Sequence, residues 1–112
     1  MDKGKQSEQV VSAYLENLGY SVLERNYRCR LGEIDIIAAK GGVLCFVEVK
    51  SLTARWDEGE ISSMVGPAKM RRIRLTAIDY LNTVDLGGRF ESMRFDIAAV
   101  TNGCVSYYEG VF

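Results

Sequence analysis

The sequence contains no histidine. That excludes Ser–His and Cys–His nucleophile pairs and removes the commonest zinc ligand. Cysteine is scarce. Cys29, Cys45 and Cys104 are widely spaced, no CxxC pair occurs, and an odd count does not build a disulfide framework. A reducing cytoplasm suits that usage. Proline and tryptophan occur once each, as Pro67 and Trp56. There is no apolar run of about 18 residues, so no membrane-spanning helix is expected. The polar stretch Met1–Gln9 does not read as a signal peptide. Neither charge sign dominates: 14 basic and 15 acidic residues leave a net charge of −1. Any contact with a polyanion must therefore come from local clusters. Chemistry is left to carboxylates, lysine, arginine and tyrosine.

What is present is an ordinary globular composition. The chain has 112 residues, 47% hydrophobic and 26% charged, enough for one domain over residues 1–112 with its own core. Val11, Tyr14, Leu15 and Leu18 recur at helical spacing, which predicts a helix over Ser7–Leu18, capped by Ser7 and ended by Gly19. Strands are expected over Tyr20–Arg28, Glu33–Ala39 and Val43–Lys50, with a turn at Leu31-Gly32. Lys40-Gly41-Gly42 signals a tight hairpin between the last two of them. Ser51–Gly66 is polar and mildly acidic, with Asp57, Glu58 and Glu60, and reads as a mobile loop. Pro67 opens a second helix to about Leu81, whose inner face is Met70, Ile73, Ala77, Tyr80 and Leu81. Strands over Met93–Val100 and Val105–Tyr108 flank the turn Asn102-Gly103. The order α-β-β-β-α-β-β describes an α/β sandwich with a mixed sheet.

The informative region is Gly32-Glu33-Ile34-Asp35, followed thirteen residues after Asp35 by Glu48-Val49-Lys50. With Gly41 and Gly42 as the central turn residues, Lys40 faces Val43, Asp35 faces Glu48 and Glu33 faces Lys50. Directly opposed side chains have Cβ atoms about 4.5–5.5 Å apart, and two opposed acids repel. Such a pair is tolerated when one acid is protonated or when a cation sits between them, and oxygen donors suit Mg2+ or Mn2+. Lys50 would then orient or deprotonate an attacking water and stabilise developing negative charge. The alternative is a solvated strand face with a Glu33–Lys50 cross-strand ion pair. The apolar neighbours Ile34, Ile36, Ile37 and Phe46 argue against a fully wet face.

Two basic groups are candidate phosphate contacts. Lys69, Arg71, Arg72 and Arg74 place four cations within six residues near a helix start. Arg25, Arg28 and Arg30 form the other group, with Tyr27 available for stacking. Both read equally as solvated basic faces. Arg94 and Asp96 suit a structural ion pair better than a supporting role at the site. Trp56 either stacks on a base, anchors a partner or pins its loop. The cysteines read as small buried hydrophobes.

The spacing of Asp35 and Glu48-Val49-Lys50 resembles the PD-(D/E)xK nuclease superfamily. The whole chain resembles the bacterial YraN-like family, uncharacterised proteins similar to archaeal Holliday-junction resolvases. The matching pieces are Gly4…Glu8 with Tyr14-Leu15 and Gly19-Tyr20, and Arg25-Asn26-Tyr27-Arg28. Gly32–Ala38, Phe46–Lys50, Lys69 with Arg71-Arg72, Tyr80-Leu81 and Arg94-Phe95-Asp96 follow in order. The resemblance implies a restriction-endonuclease-like core and metal-dependent phosphodiester hydrolysis in DNA, branched or damaged. It implies Mg2+ (or Mn2+) on Asp35 and Glu48 with the Val49 carbonyl, Lys50 serving the water, and Glu8 reaching the site from the first helix. It also implies a homodimer, since a four-way junction is two-fold symmetric. One position departs from the family: the usual Lys-Gln of the second helix is Lys69-Met70 here, and methionine cannot hydrogen-bond as glutamine does. The competing functions are a nucleic-acid-binding module without turnover and a protein-interaction module on the same fold.

Overall fold

The computed structural model describes residues 3–52 and 65–112. Trp56, Asp57, Glu58, Glu60 and most of the expected Ser51–Gly66 loop lie outside the described residues. The elements run α1 (Lys3–Asn17), β1 (Ser21–Cys29), β2 (Gly32–Lys40), β3 (Val43–Leu52), α2 (Pro67–Thr83), β4 (Ser92–Thr101) and β5 (Cys104–Tyr108). The strands form one mixed sheet in the order β1-β2-β3-β4-β5, with only β3 and β4 parallel. This α-β-β-β-α-β-β arrangement is compatible with a restriction-endonuclease-like core.

Local chemistry accounts for the turns. Gly41 and Gly42 both have positive φ (57° and 80°), as a two-residue hairpin between right-twisted strands demands. They set the expected register, with Lys40 opposite Val43 and Ala38 opposite Cys45. Asn102 and Gly103 repeat the device between β4 and β5. Gly19, at φ 94°, ends α1, and the Tyr20 N–H returns to the Leu15 carbonyl. Ser7 does not cap this helix. The helix starts at Lys3, and the Ser7 hydroxyl turns inward to meet the Ser51 hydroxyl at the end of β3.

Each face of the sheet is covered by one helix. Val11 and Leu15 of α1 pack on Ile36, Ala38, Cys45, Val47, Ala98 and Val100. Ile73, Ala77 and Tyr80 of α2 pack on Ile34, Ile37, Leu44, Phe46 and Ile97. Thr76 completes the inner face of α2, while Leu81 stays 36% exposed, contrary to the periodicity. Buried Thr76 is tolerated because its hydroxyl donates to the Arg72 carbonyl at 2.7 Å.

β2 does not alternate regularly. Ile34 and Ile37 face α2, whereas Ile36 and Ala38 face α1. Regular alternation would set Ile34 with Ile36. The break falls at Asp35. Across on β1, the ladder passes from Arg25–Ile36 to Tyr27–Ile34 without pairing Asn26 to Asp35. Asn26 has φ 56°, the left-handed conformation that asparagine tolerates better than other side-chain-bearing residues. Regular alternation would also put Glu33, Asp35 and Ile37 on one face; instead the strand turns over at Asp35.

The exposed side chain of Asn26 is not what this turnover needs; its backbone is. Asn26→Val should destabilise the fold by about 1–2 kcal/mol, and Asn26→Gly by clearly less. Urea unfolding of the two variants checks the order.

Candidate functional site

The carboxylates gather where β2 begins and β3 ends. The regular β2–β3 ladder reaches Ile36–Val47 and goes no further. Asp35 and Glu48 are thus not a ladder pair as the turn arithmetic expects. Asp35 uses its side chain instead: Oδ2 accepts the Val49 N–H at 2.8 Å. This bond holds the Asp35 carboxyl beside Glu48. Burial, then the adjacent Glu48 carboxylate as hydrogen-bond partner and like charge, push Asp35 up to about 8. The negative charge of Glu8 on α1 adds a smaller effect in the same direction.

Glu48 is 4% exposed and faces α2. Its Oε2 meets the Lys69 ammonium directly and lies 3.9 Å from Lys50 Nζ. That oxygen still accepts no hydrogen bond of ordinary geometry, and neither does buried Oε1 of Glu8. Burial lowers the Lys50 ammonium, and the charge of Lys69 beside it adds to the effect. Lys69 is raised on balance: burial opposes its charge, but the Glu48 carboxylate outweighs that cost.

Glu33 does not reach Lys50. It is exposed and pairs across the β1–β2 hairpin with Arg28 at 2.9 Å. Lys50 shares the face of Phe46 and Glu48, as alternation along β3 requires. Sequence proximity groups Lys69 with the helical arginines, yet its ammonium turns onto Glu48. Met70 packs against the core on the α2 side.

The remaining basic residues divide. Arg28, Lys69 and Arg72 line a cleft of about 400 Å3 beside the acids, with Cys29, Gly32, Glu33 and Ile73. Arg74 lies over the Phe95 ring, 6.0 Å from its centroid, and Arg25 and Arg71 are exposed. Tyr27 is not available for stacking. Its hydroxyl donates to Asp79 at 2.6 Å and its ring packs edge-on against Tyr80.

Arg94 and Asp96 form a separate structural network. Asp96 is fully buried, and every side-chain oxygen is satisfied: by Arg94, by the Tyr107 hydroxyl at 2.5 Å and by the Gly110 N–H at 2.9 Å. Arg94 also donates to the Tyr20 hydroxyl at 2.8 Å.

Among the described residues, no three or more His, Cys, Asp or Glu side chains stand as a ready-made metal cluster. The donor chemistry nevertheless fits a hard divalent ion. Mg2+ is commonly held by one or two carboxylates with water and substrate phosphate completing its shell. Asp35 and Glu48, with the Val49 carbonyl, are the residues that would hold it. Buried Oε1 of Glu8, without a hydrogen-bond partner, is an atom whose desolvation a cation would offset, whereas Glu48 Oε2 already meets the Lys69 ammonium.

The sequence pattern of the Uncharacterised protein family UPF0102 matches residues 7–100. A UPF0102 protein of Syntrophus aciditrophicus is 48% identical over 105 residues, covering 90% of this chain and 80% of its own length. One from Persephonella marina is 39% identical over 110 residues, covering 98% and 92%. One from Kosmotoga olearia is 38% identical over 112 residues, covering 99% and 93%.

The raised Asp35 has a consequence for stability. The folded chain keeps this proton up to about pH 8, whereas an ordinary aspartate releases it near 3.8. Unfolding between those values therefore releases a proton, and stability falls as pH rises through the window. Asp35→Asn should lose less of its urea midpoint than wild type between pH 5 and pH 8.5 (about the edges of that window). Parallel losses in the two proteins would contradict the assignment.

Proposed function

The chain belongs to the uncharacterised protein family UPF0102, and on that footing we propose that it is a divalent-metal-dependent endonuclease acting on DNA, including branched DNA. The observation that carries this reading is buried Glu48 beside half-buried Asp35, with half-buried Glu8 as a further like charge and two lysines against Glu48. Structural acids are ordinarily satisfied by hydrogen bonds. This set is concentrated, short of partners and next to cationic groups, which suits a site that receives a cation and a phosphate.

A bound Mg2+ (or Mn2+) supplies charge neutralisation at the phosphate and an acidified water. The chain's own residues do the rest. Asp35, fixed by the Val49 N–H, and Glu48 hold the ion with the Val49 carbonyl. Lys50 orients the attacking water and accepts its proton or stabilises the charge that develops. Glu8 reaches toward the same water or ion from α1. Lys69 steadies Glu48, while Arg28 and Arg72 with the exposed Arg25, Arg71 and Arg74 supply phosphate contacts. A two-fold-symmetric junction would be met by a homodimer. The exposed Leu75 and Ile78 on α2 provide apolar surface for one. Three free cysteines on different elements support a reducing cytoplasmic setting; among the described residues no helix is long and apolar enough to cross a membrane.

Met70 favours a second reading, a module that binds nucleic acid without turnover. Its side chain packs on the core and offers the site no hydrogen bond. Lys50→Ala separates the two. Under the nuclease reading the variant should lose at least about 100-fold in Mg2+-dependent cleavage of a four-way junction, with junction affinity within about twofold. Junction binding with no cleavage by either protein would leave the second reading in place.

A further inference from the structure

The cleft beside the acids has a shape and lining of its own. One wall is the end of the β1–β2 hairpin, Cys29 and Gly32; the other is the first turns of α2, Lys69, Arg72 and Ile73. Gly32 brings the walls together. A Cβ there would meet the Thr76 hydroxyl oxygen at 3.0 Å and Arg72 Cβ at 3.4 Å. Lys69 belongs to both places, lining the cleft while its ammonium touches Glu48.

Volume and shape limit what can enter. About 400 Å3 lies within the range of small-ligand pockets, about 300–1,000 Å3. Proteins read duplex DNA by pushing a convex element into a groove. A concave cleft works the other way: it takes a nucleotide out of the stack, or a single strand. Ile73 and the guanidinium planes of Arg28 and Arg72 offer a base or sugar both apolar and stacking surface. The same guanidiniums suit a phosphate.

We propose that this cleft is a nucleotide subsite that takes one unpaired nucleotide of the strand running through the acid site, with Arg72 as its principal phosphate contact and Glu33 as its restraint. The inference rests on reading the acid site as one for phosphodiesters. Arg72 is not engaged by any carboxylate in the described ion pairs, whereas Arg28 is held by Glu33 at 2.9 Å. A phosphate entering must draw Arg28 away from Glu33, so Glu33 lowers the affinity for any strand that does not reach deep enough to engage Arg72 as well. Substrates with an unpaired nucleotide, at a junction, flap or frayed end, are thereby preferred to an intact duplex.

The test measures binding by fluorescence anisotropy without added metal, so that hydrolysis plays no part. The full chain is titrated with a short labelled oligothymidylate and, separately, with a blunt duplex of comparable charge, at several salt concentrations. Wild type should bind the single strand several-fold more tightly than the duplex. Arg72→Ala should weaken single-strand binding about tenfold and lower the salt slope by about one. Arg89→Ala, an exposed cation before β4 that does not line the cleft, should change it less than about twofold, and Glu33→Gln should strengthen it about threefold. Equal losses in the Arg89 and Arg72 variants, or equal affinity for both probes, would overturn the subsite. Cleft-dependent binding by a protein that never cleaves would refute the hydrolysis and leave the subsite standing.

Discussion

Every buried backbone N–H needs a partner, and the way Val49 finds one organises the site. The β2–β3 ladder stops at Ile36–Val47, and the Asp35 carboxylate accepts the Val49 N–H in place of a strand carbonyl. This bond requires β2 to turn over at Asp35, which the left-handed Asn26 across the ladder accommodates on β1. It also fixes Asp35 next to Glu48, where the next alternating position of β3 is Lys50. Regular pairing would have kept the ladder intact, but with no acid committed to the Val49 amide.

The molecule buries acids in two ways, and the contrast separates structure from chemistry. Asp96 sits at zero exposure with its oxygens saturated by Arg94, Tyr107 and Gly110. Breaking such a network leaves an uncompensated buried charge, so it behaves as a rivet between β4, β5 and the segment before β1. The Asp35–Glu48–Glu8 group leaves buried Oε1 of Glu8 without a hydrogen bond, sets Glu48 against two lysine ammoniums and crowds like charges together. A fold gains nothing from that arrangement by itself. It is the pattern expected where a protein holds groups ready for a ligand that completes them.

Much of this was legible in the sequence, for identifiable reasons. The Gly41-Gly42 turn fixes register locally, so five residue pairs from Lys40–Val43 to Ile36–Val47 follow from counting alone. The same counting fails one step later, because turnover at Asp35 depends on the β1 strand and on the backbone of Asn26. The inward side of Glu8 follows from its helical spacing to Val11 and Leu15, and its Oε1 is buried. Ser7 was misread, since a serine near a helix start resembles a cap whether or not the helix begins earlier. The roles of Lys69 and of the Arg28–Glu33 pair depend on how α2 and the hairpin lie against the sheet, which no local spacing encodes.

In the nuclease reading, Asp35 and Glu48 together would receive a divalent cation. Calorimetric titration of Mn2+ into wild type and Asp35→Asn tests it most directly, because it presumes no substrate. Saturable binding by wild type, lost in the Asn variant, is the expected result. Equal affinity in both proteins, or no binding by either through the millimolar range, would contradict it.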